Sequence, residues 1–162
     1  MDFSNFEQFE KLLYNIAKEP GYKPAKGERP KRKASPLISP ATYKPGTTRA
    51  NDNVLEWASW AAVDVDEHKF EGNLEDELRD RYGKYYYVCY STASSTIEHP
   101  KFRLVFPLSV SVPAAKIRHF WFALNLHVKS IGDKQTKDLS RMYYVPAVYP
   151  GANNFIFTNH GD

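Results

Sequence analysis

Val54-Leu55-Glu56-Trp57-Ala58-Ser59-Trp60-Ala61-Ala62-Val63-Asp64-Val65-Asp66 is the stretch on which the fold turns. Its β-branched and aromatic residues, among them Trp57, Trp60, Val63 and Val65, predict one buried strand ending in two carboxylates. Side chains alternate along a strand, so Asp64 and Asp66 share one face while Val63 and Val65 share the other. Like charges held together at a strand end need solvent or a cation, and hard cations such as Mg²⁺ or Mn²⁺ favour oxygen ligands. Taken alone, the pair reads equally well as solvated loop carboxylates.

Downstream, Asn73 caps a short helix with Leu74, Leu78 and Tyr82 on one face and Gly83 at its stop. Tyr85-Tyr86-Tyr87-Val88-Cys89-Tyr90 predicts a second strand, and a Ser/Thr-rich loop from Ser91 to Thr96 leads to a third, Lys101 to Leu108. Pro113 opens the longest helix, running to about Ser130, with Ile117, Phe120, Trp121, Leu124 and Val128 as its buried stripe and Gly132 beyond it. Met142 to Val145 and Asn154 to Phe157 predict final short strands. Strand, helix, strand, strand, helix, strand is the split β-α-β order of ferredoxin-like and RRM-like α+β domains. In that arrangement both helices cover one sheet face and the other stays free for a ligand. The topology hosts many activities, so function has to come from side chains.

Upstream, Ser4-Asn5-Phe6-Glu7 has capping-box spacing, and Phe6, Phe9, Leu12, Leu13 and Ile16 follow at helical intervals, predicting a helix from about Asn5 to Lys18. From Glu19 to Asp52 the chain is rich in Pro, Lys and Gly, including Lys31-Arg32-Lys33. This long basic arm is either a flexible surface loop or a contact for nucleic acid. At 162 residues the chain is sized for one compact unit, with the helix and arm in residues 1–52 and the α+β region in 53–162. Its net charge of +3 hides an uneven distribution: +4 over residues 1–52, −6 over 53–100 and +5 over 101–162. An acidic middle between basic flanks is solvated surface, or a metal site beside a phosphate-binding one. No apolar run approaches the roughly 20 residues of a membrane span, and Met1-Asp2-Phe3-Ser4 does not open a signal peptide, so a cytoplasmic protein without a membrane partner is expected. The single cysteine, Cys89, excludes an internal disulfide and a Cys-based zinc site.

Strand parity puts His99, Lys101 and Arg103 on one face of the third strand, a cationic row suited to a triphosphate or a nucleic-acid backbone; charge protecting an edge strand is the plainer reading. Asp133 follows the long helix, with Arg141 shortly after it. If the last strand lies beside the Asp64 strand, Asp133 closes a three-carboxylate cluster able to hold two Mg²⁺ ions on the order of 4 Å apart for in-line attack at phosphorus. Nucleophile-based chemistry finds no support: there is no Gly-x-Ser-x-Gly and no Walker-type loop, Cys89 lies within a strand, and His119 and His127 lack zinc-pair spacing.

Taken together, Asp64-Val65-Asp66, Tyr90-Ser91-Thr92 through His99-Pro100-Lys101-Phe102-Arg103-Leu104-Val105, and Asp133 with Thr136, Ser140-Arg141-Met142-Tyr143-Tyr144 and Pro146 resemble the archaeo-eukaryotic primase superfamily. The likeness is closest to primase-polymerase domains of phage and plasmid replication proteins. It spans roughly residues 38–150, and Tyr43-Lys44-Pro45-Gly46-Thr47-Thr48-Arg49 resembles the approach to the first motif. The resemblance implies template-directed nucleotidyl transfer on an RRM-like palm. Asp64, Asp66 and Asp133 would be the catalytic metal ligands for Mg²⁺ or Mn²⁺. Ser91, His99, Lys101 and Arg103 would bind the nucleoside triphosphate, and Arg49, Arg141, Lys31, Arg32 and Lys33 the single-stranded DNA template. A replicative helicase in cis or trans is the implied partner. The departure is in the second motif: Ala93 stands where phage relatives often carry histidine, and on a strand-based alignment Arg103 takes that place. The competing expectation is an RRM-like single-strand or origin-binding module with weak or lost catalysis, with Tyr86 or Tyr90 stacking on bases. Should the third acid turn away from the first two, or a neighbouring guanidinium already neutralise them both, the polymerase expectation collapses.

Overall fold

The first helix, α1 (Phe6–Ala17), is capped by Asn5, whose side chain accepts from the Gln8 amide at 2.9 Å. The capping residue is therefore Asn5 and not Ser4. The computed structural model describes residues 5–128, 132 and 138–162. Within the basic arm, β1 (Leu37–Ile38) and β2 (Ala41–Tyr43) are already ordered pieces of sheet.

The stretch from Val54 to Asp66 forms two strands, where one was expected. β3 (Val54–Trp57) pairs with β2 and with β7 (Val112–Pro113), whereas β4 (Trp60–Val65) pairs with β6 (Phe102–Pro107). Between them the Ala58 amide donates to the Pro40 carbonyl, and Ser59 accepts from the Leu108 amide. The break lets Trp57 and Trp60 enter different cores: Trp57 packs with Ile117 and Trp121, and Trp60 with Phe9 and Leu13.

α2 (Leu74–Tyr82) is capped by the Asn73 side chain, which accepts from the Asp76 amide. Gly83 closes it because a Cβ there would meet the Arg79 carbonyl oxygen at 2.4 Å. β5 (Tyr86–Ser91), α3 (Ile117–His127), β8 (Tyr143–Tyr144) and β9 (Ile156–His160) complete the elements described. The main sheet has the order β4-β6-β5-β9, every neighbouring pair antiparallel. β6 thus lies between β4 and β5, but β9 borders β5 instead of the Asp64 strand. The strand over Tyr143–Tyr144, β8, does not join this sheet: it pairs with β1 in a separate ribbon. The architecture is α+β.

Parity holds along β4. Val63 and Val65 turn towards Leu78 and Tyr82 of α2 and Leu124 and Val128 at α3. The opposite face, expected to be free, is covered: Phe9 and Leu13 of α1 and Tyr143 of β8 pack on Trp60, Ala62, Val88, Tyr90 and Val105. The apolar stripe of α1 needs a partner, and this sheet face supplies it. Tyr90 is consequently buried and does not offer a stacking surface for bases, and Tyr86 packs edge-on against Phe6. Among the described residues, no helix is long and apolar enough to cross a membrane.

Candidate functional site

Where α1 stops covering the sheet, one cross-strand row remains polar. Asp64 and Arg103 are direct register partners, and Arg103 is also the partner of Tyr90. Arg103 Nη2 lies 3.2 Å from both Asp64 carboxylate oxygens. Its Nη1 donates to the Tyr90 hydroxyl at 3.2 Å and the Tyr144 carbonyl at 2.9 Å. The guanidinium also faces the Tyr143 ring at 4.7 Å. Burial works against its charge, but Tyr90 and Asp64 outweigh burial and hold the Arg103 pKa above its usual range. Asp64 is 6% exposed, so it is a buried, paired carboxylate, not a solvated strand tip.

Beside this row lies a polar cavity of about 600 Å³. Five cationic side chains line it, Lys23, Arg49, Lys101, Arg103 and Arg141, against three carboxylates, Asp64, Asp66 and Asp138. They arrive from distant parts of the chain. Lys23 comes from the arm and Arg49 from the β2–β3 connection. Arg141 sits on a turn that two side chains tie down: Asn51 Oδ1 accepts from the Ser140 amide at 3.0 Å and hydroxyl at 2.7 Å, and Trp57 Nε1 donates to the Leu139 carbonyl at 2.8 Å. Arg49 reaches across to the Met142 sulfur. Buried polar atoms normally find partners, yet Thr92 Oγ1, Arg103 Nε, Arg141 Nε and Tyr143 Oη have none among the described residues, and all four belong to residues lining this cavity. That concentration suits a polar ligand.

The cavity gathers Asp64, Asp66, Lys101, Arg103, Arg49 and Arg141 of the residues expected from sequence. Ser91 is buried beside it and exchanges hydrogen bonds with the Phe155 backbone. His99 does not continue the cationic row, because β6 begins only at Phe102; its ring instead donates to the Asp66 carbonyl at 2.8 Å. Lys31, Arg32 and Lys33 are exposed on the arm, with Arg32 over the Tyr22 ring at 4.8 Å, and do not line the cavity. Asp133 lies outside the described residues. Among the described residues no three acidic, histidine or cysteine side chains form a metal-binding group. Asp64 and Asp66 offer oxygen donors, but a cation at Asp64 has to compete with Arg103. Sequence reasoning missed Lys23, Ser94 and Asp138. Only Asp138 had a signal, its position three residues before Arg141. Comparison with protein-family models, with curated proteins and with solved structures gives no match.

Proposed function

We propose that this cavity is the phosphate site of a primase-polymerase-type domain, a nucleotidyltransferase built on an RRM-like palm and working with single-stranded DNA, nucleoside triphosphates and Mg²⁺ or Mn²⁺. The observation that carries the reading is the convergence of a two-carboxylate strand end with five cations drawn from four segments of the chain. A triphosphate needs several positive charges, and arginine forks match its oxygens. Lys101 and Arg141 are suited to hold phosphate oxygens, and Asp64 and Asp66 are the acids that would hold the divalent ion. When bound, that ion lowers the pKa of an attacking hydroxyl and neutralises charge on the departing pyrophosphate. Arg103, fixed by Tyr90 and Tyr144, pairs with Asp64 and orients its carboxylate. The exposed lysines and arginines of the arm continue the positive surface available to a template.

The Arg103–Asp64 pair favours a second reading, in which the cavity binds the phosphates of single-stranded DNA without transferring nucleotides. Primer synthesis and extension with Mn²⁺, compared between the native chain and Asp64→Ala and Asp66→Ala, separates the two. Synthesis abolished by either change supports the enzyme. DNA binding without synthesis in all three chains supports the binding module.

A further inference from the structure

We infer that His68 and His99 form a reciprocal brace that sets the gap between Asp66 and Lys101, which makes both histidines positioning residues of the cavity; this rests on reading the cavity as a phosphate and cation site. Two loops leave the sheet there, one after β4 and one joining β5 to β6. His68, on the first, donates from Nε2 to the Pro100 carbonyl on the second at 2.6 Å. His99, on the second, donates from Nε2 to the Asp66 carbonyl on the first at 2.8 Å. The two rings lie 4.7 Å apart and within 8° of parallel.

Each imidazole therefore crosses to the opposite loop, and the two crossings stack on each other. The Phe70 amide donates to His68 Nδ1 at 3.2 Å, which leaves that ring one neutral tautomer, the Nε2–H form its other bond requires. The Phe70 ring stacks on His68 and lies 6.3 Å from Phe102, the first residue of β6, so the brace rests on the core. Its acceptors are well placed to act on the cavity. One is the carbonyl of Asp66 itself. The other belongs to the Pro100–Lys101 peptide, whose N–H donates to Ser95 Oγ at 3.0 Å. Neither imidazole lines the cavity, yet His99 holds the backbone of Asp66, which does, and His68 holds the Pro100 carbonyl, one peptide before Lys101, which does. With its side chain 38% exposed, His99 gains little from burial, so core filling does not account for the arrangement. The nearby Glu67 carboxylate, 3.9 Å from His99 Nε2, is exposed and weak as an orienting partner.

The test compares native chain, Asp66→Asn, His99→Ala and His99→Gln. Free Mn²⁺ is followed by electron paramagnetic resonance, and a fluorescent nucleoside triphosphate by anisotropy. Loss of a partner that orients a ligand typically weakens metal affinity about tenfold or more, so His99→Ala should weaken Mn²⁺-dependent triphosphate binding to that extent. Gln keeps an N–H donor at a similar reach and should restore most of it, a rescue that lost packing alone would not give. Binding by His99→Ala within about twofold of the native chain, or a Gln variant as weak as the Ala variant, overturns the brace. If neither the native chain nor Asp66→Asn binds Mn²⁺ or triphosphate, the cavity reading fails. Hydrogen exchange then judges the brace: faster amide exchange at residues 66–70 and 98–101 in His99→Ala supports it, and unchanged exchange overturns it.

Discussion

Asp64 and Arg103 sit opposite each other on β4 and β6, and a single guanidinium nitrogen of Arg103 is shared between both Asp64 oxygens at 3.2 Å. Both side chains are buried, so each is the other's charge compensation. Removing one partner of a buried pair strands the other charge and costs about 3–5 kcal/mol, whereas replacing both with apolar or neutral groups is often close to neutral. Arg103→Met should therefore be strongly destabilising, and the double change Asp64→Asn with Arg103→Met should recover much of the loss. Urea unfolding of the single and double variants measures this. Equal destabilisation in both would mean that the pair is not what keeps Asp64 tolerable in the sheet.

Leu13 probes the helix on the unexpected face. It is fully buried among Trp60, Val88 and Val105, in a position a free ligand surface would not contain. Leu13→Ala removes packing that the sheet cannot refill, and about 2–5 kcal/mol of stability should go with it. Tryptophan fluorescence during urea unfolding gives the value. A cost below about 1 kcal/mol would mean α1 is only loosely docked.

These two sites also mark how far sequence alone reached. Local signals were legible: the Asn73 cap, the Gly83 stop, the alternation of Val63, Asp64 and Val65, and the α3 stripe from Ile117 to Val128 all reflect periodicity or backbone sterics within a few residues. The failures were long-range. Nothing within β9 says that it will border β5 instead of β4, because both placements leave a strand edge paired. The break at Ala58–Ser59 follows from Trp57 and Trp60 seeking different cores, a choice made by α1 and α3. Of the site, the acids and cations near β4 and β6 could be read from motif spacing, but Lys23 reaches the cavity only through folding of the arm. Strand parity and the motif make Arg103 a phosphate ligand. Its role as partner of Asp64 needed the strand register.

The cavity's positive charge has a direct signature in salt. Every phosphate of a single strand that a side chain neutralises adds about 0.7 to the slope of log affinity against log salt, through the counterion it releases. Arg141→Ala and Lys23→Ala should each reduce the slope for single-stranded DNA by about that amount, and the double variant by roughly twice as much. Filter binding across a salt series checks it. An unchanged slope in the double variant would remove DNA phosphate from the cavity and assign DNA binding to the arm alone.

High pH should destabilise the protein through buried phenols. Burial pushes Tyr87 and Tyr149 up to about 12, from an ordinary value of 10.0. Below about pH 10 both phenols stay protonated whether the chain is folded or unfolded, and the stabilising contribution is complete. Between about 10 and 12 the unfolded chain releases protons that the folded chain keeps, so stability falls as pH rises through that window. Tyr149 also donates its hydroxyl to the Val145 carbonyl at 2.6 Å. Tyr149→Phe should cost roughly 1 kcal/mol at neutral pH by losing that bond, yet decline less steeply in alkali because one titrating phenol is gone. Urea midpoints between pH 8 and 11, run alongside an ultraviolet titration of tyrosinate, test both halves. Parallel declines in the native and Phe chains would show that Tyr149 does not titrate with unfolding.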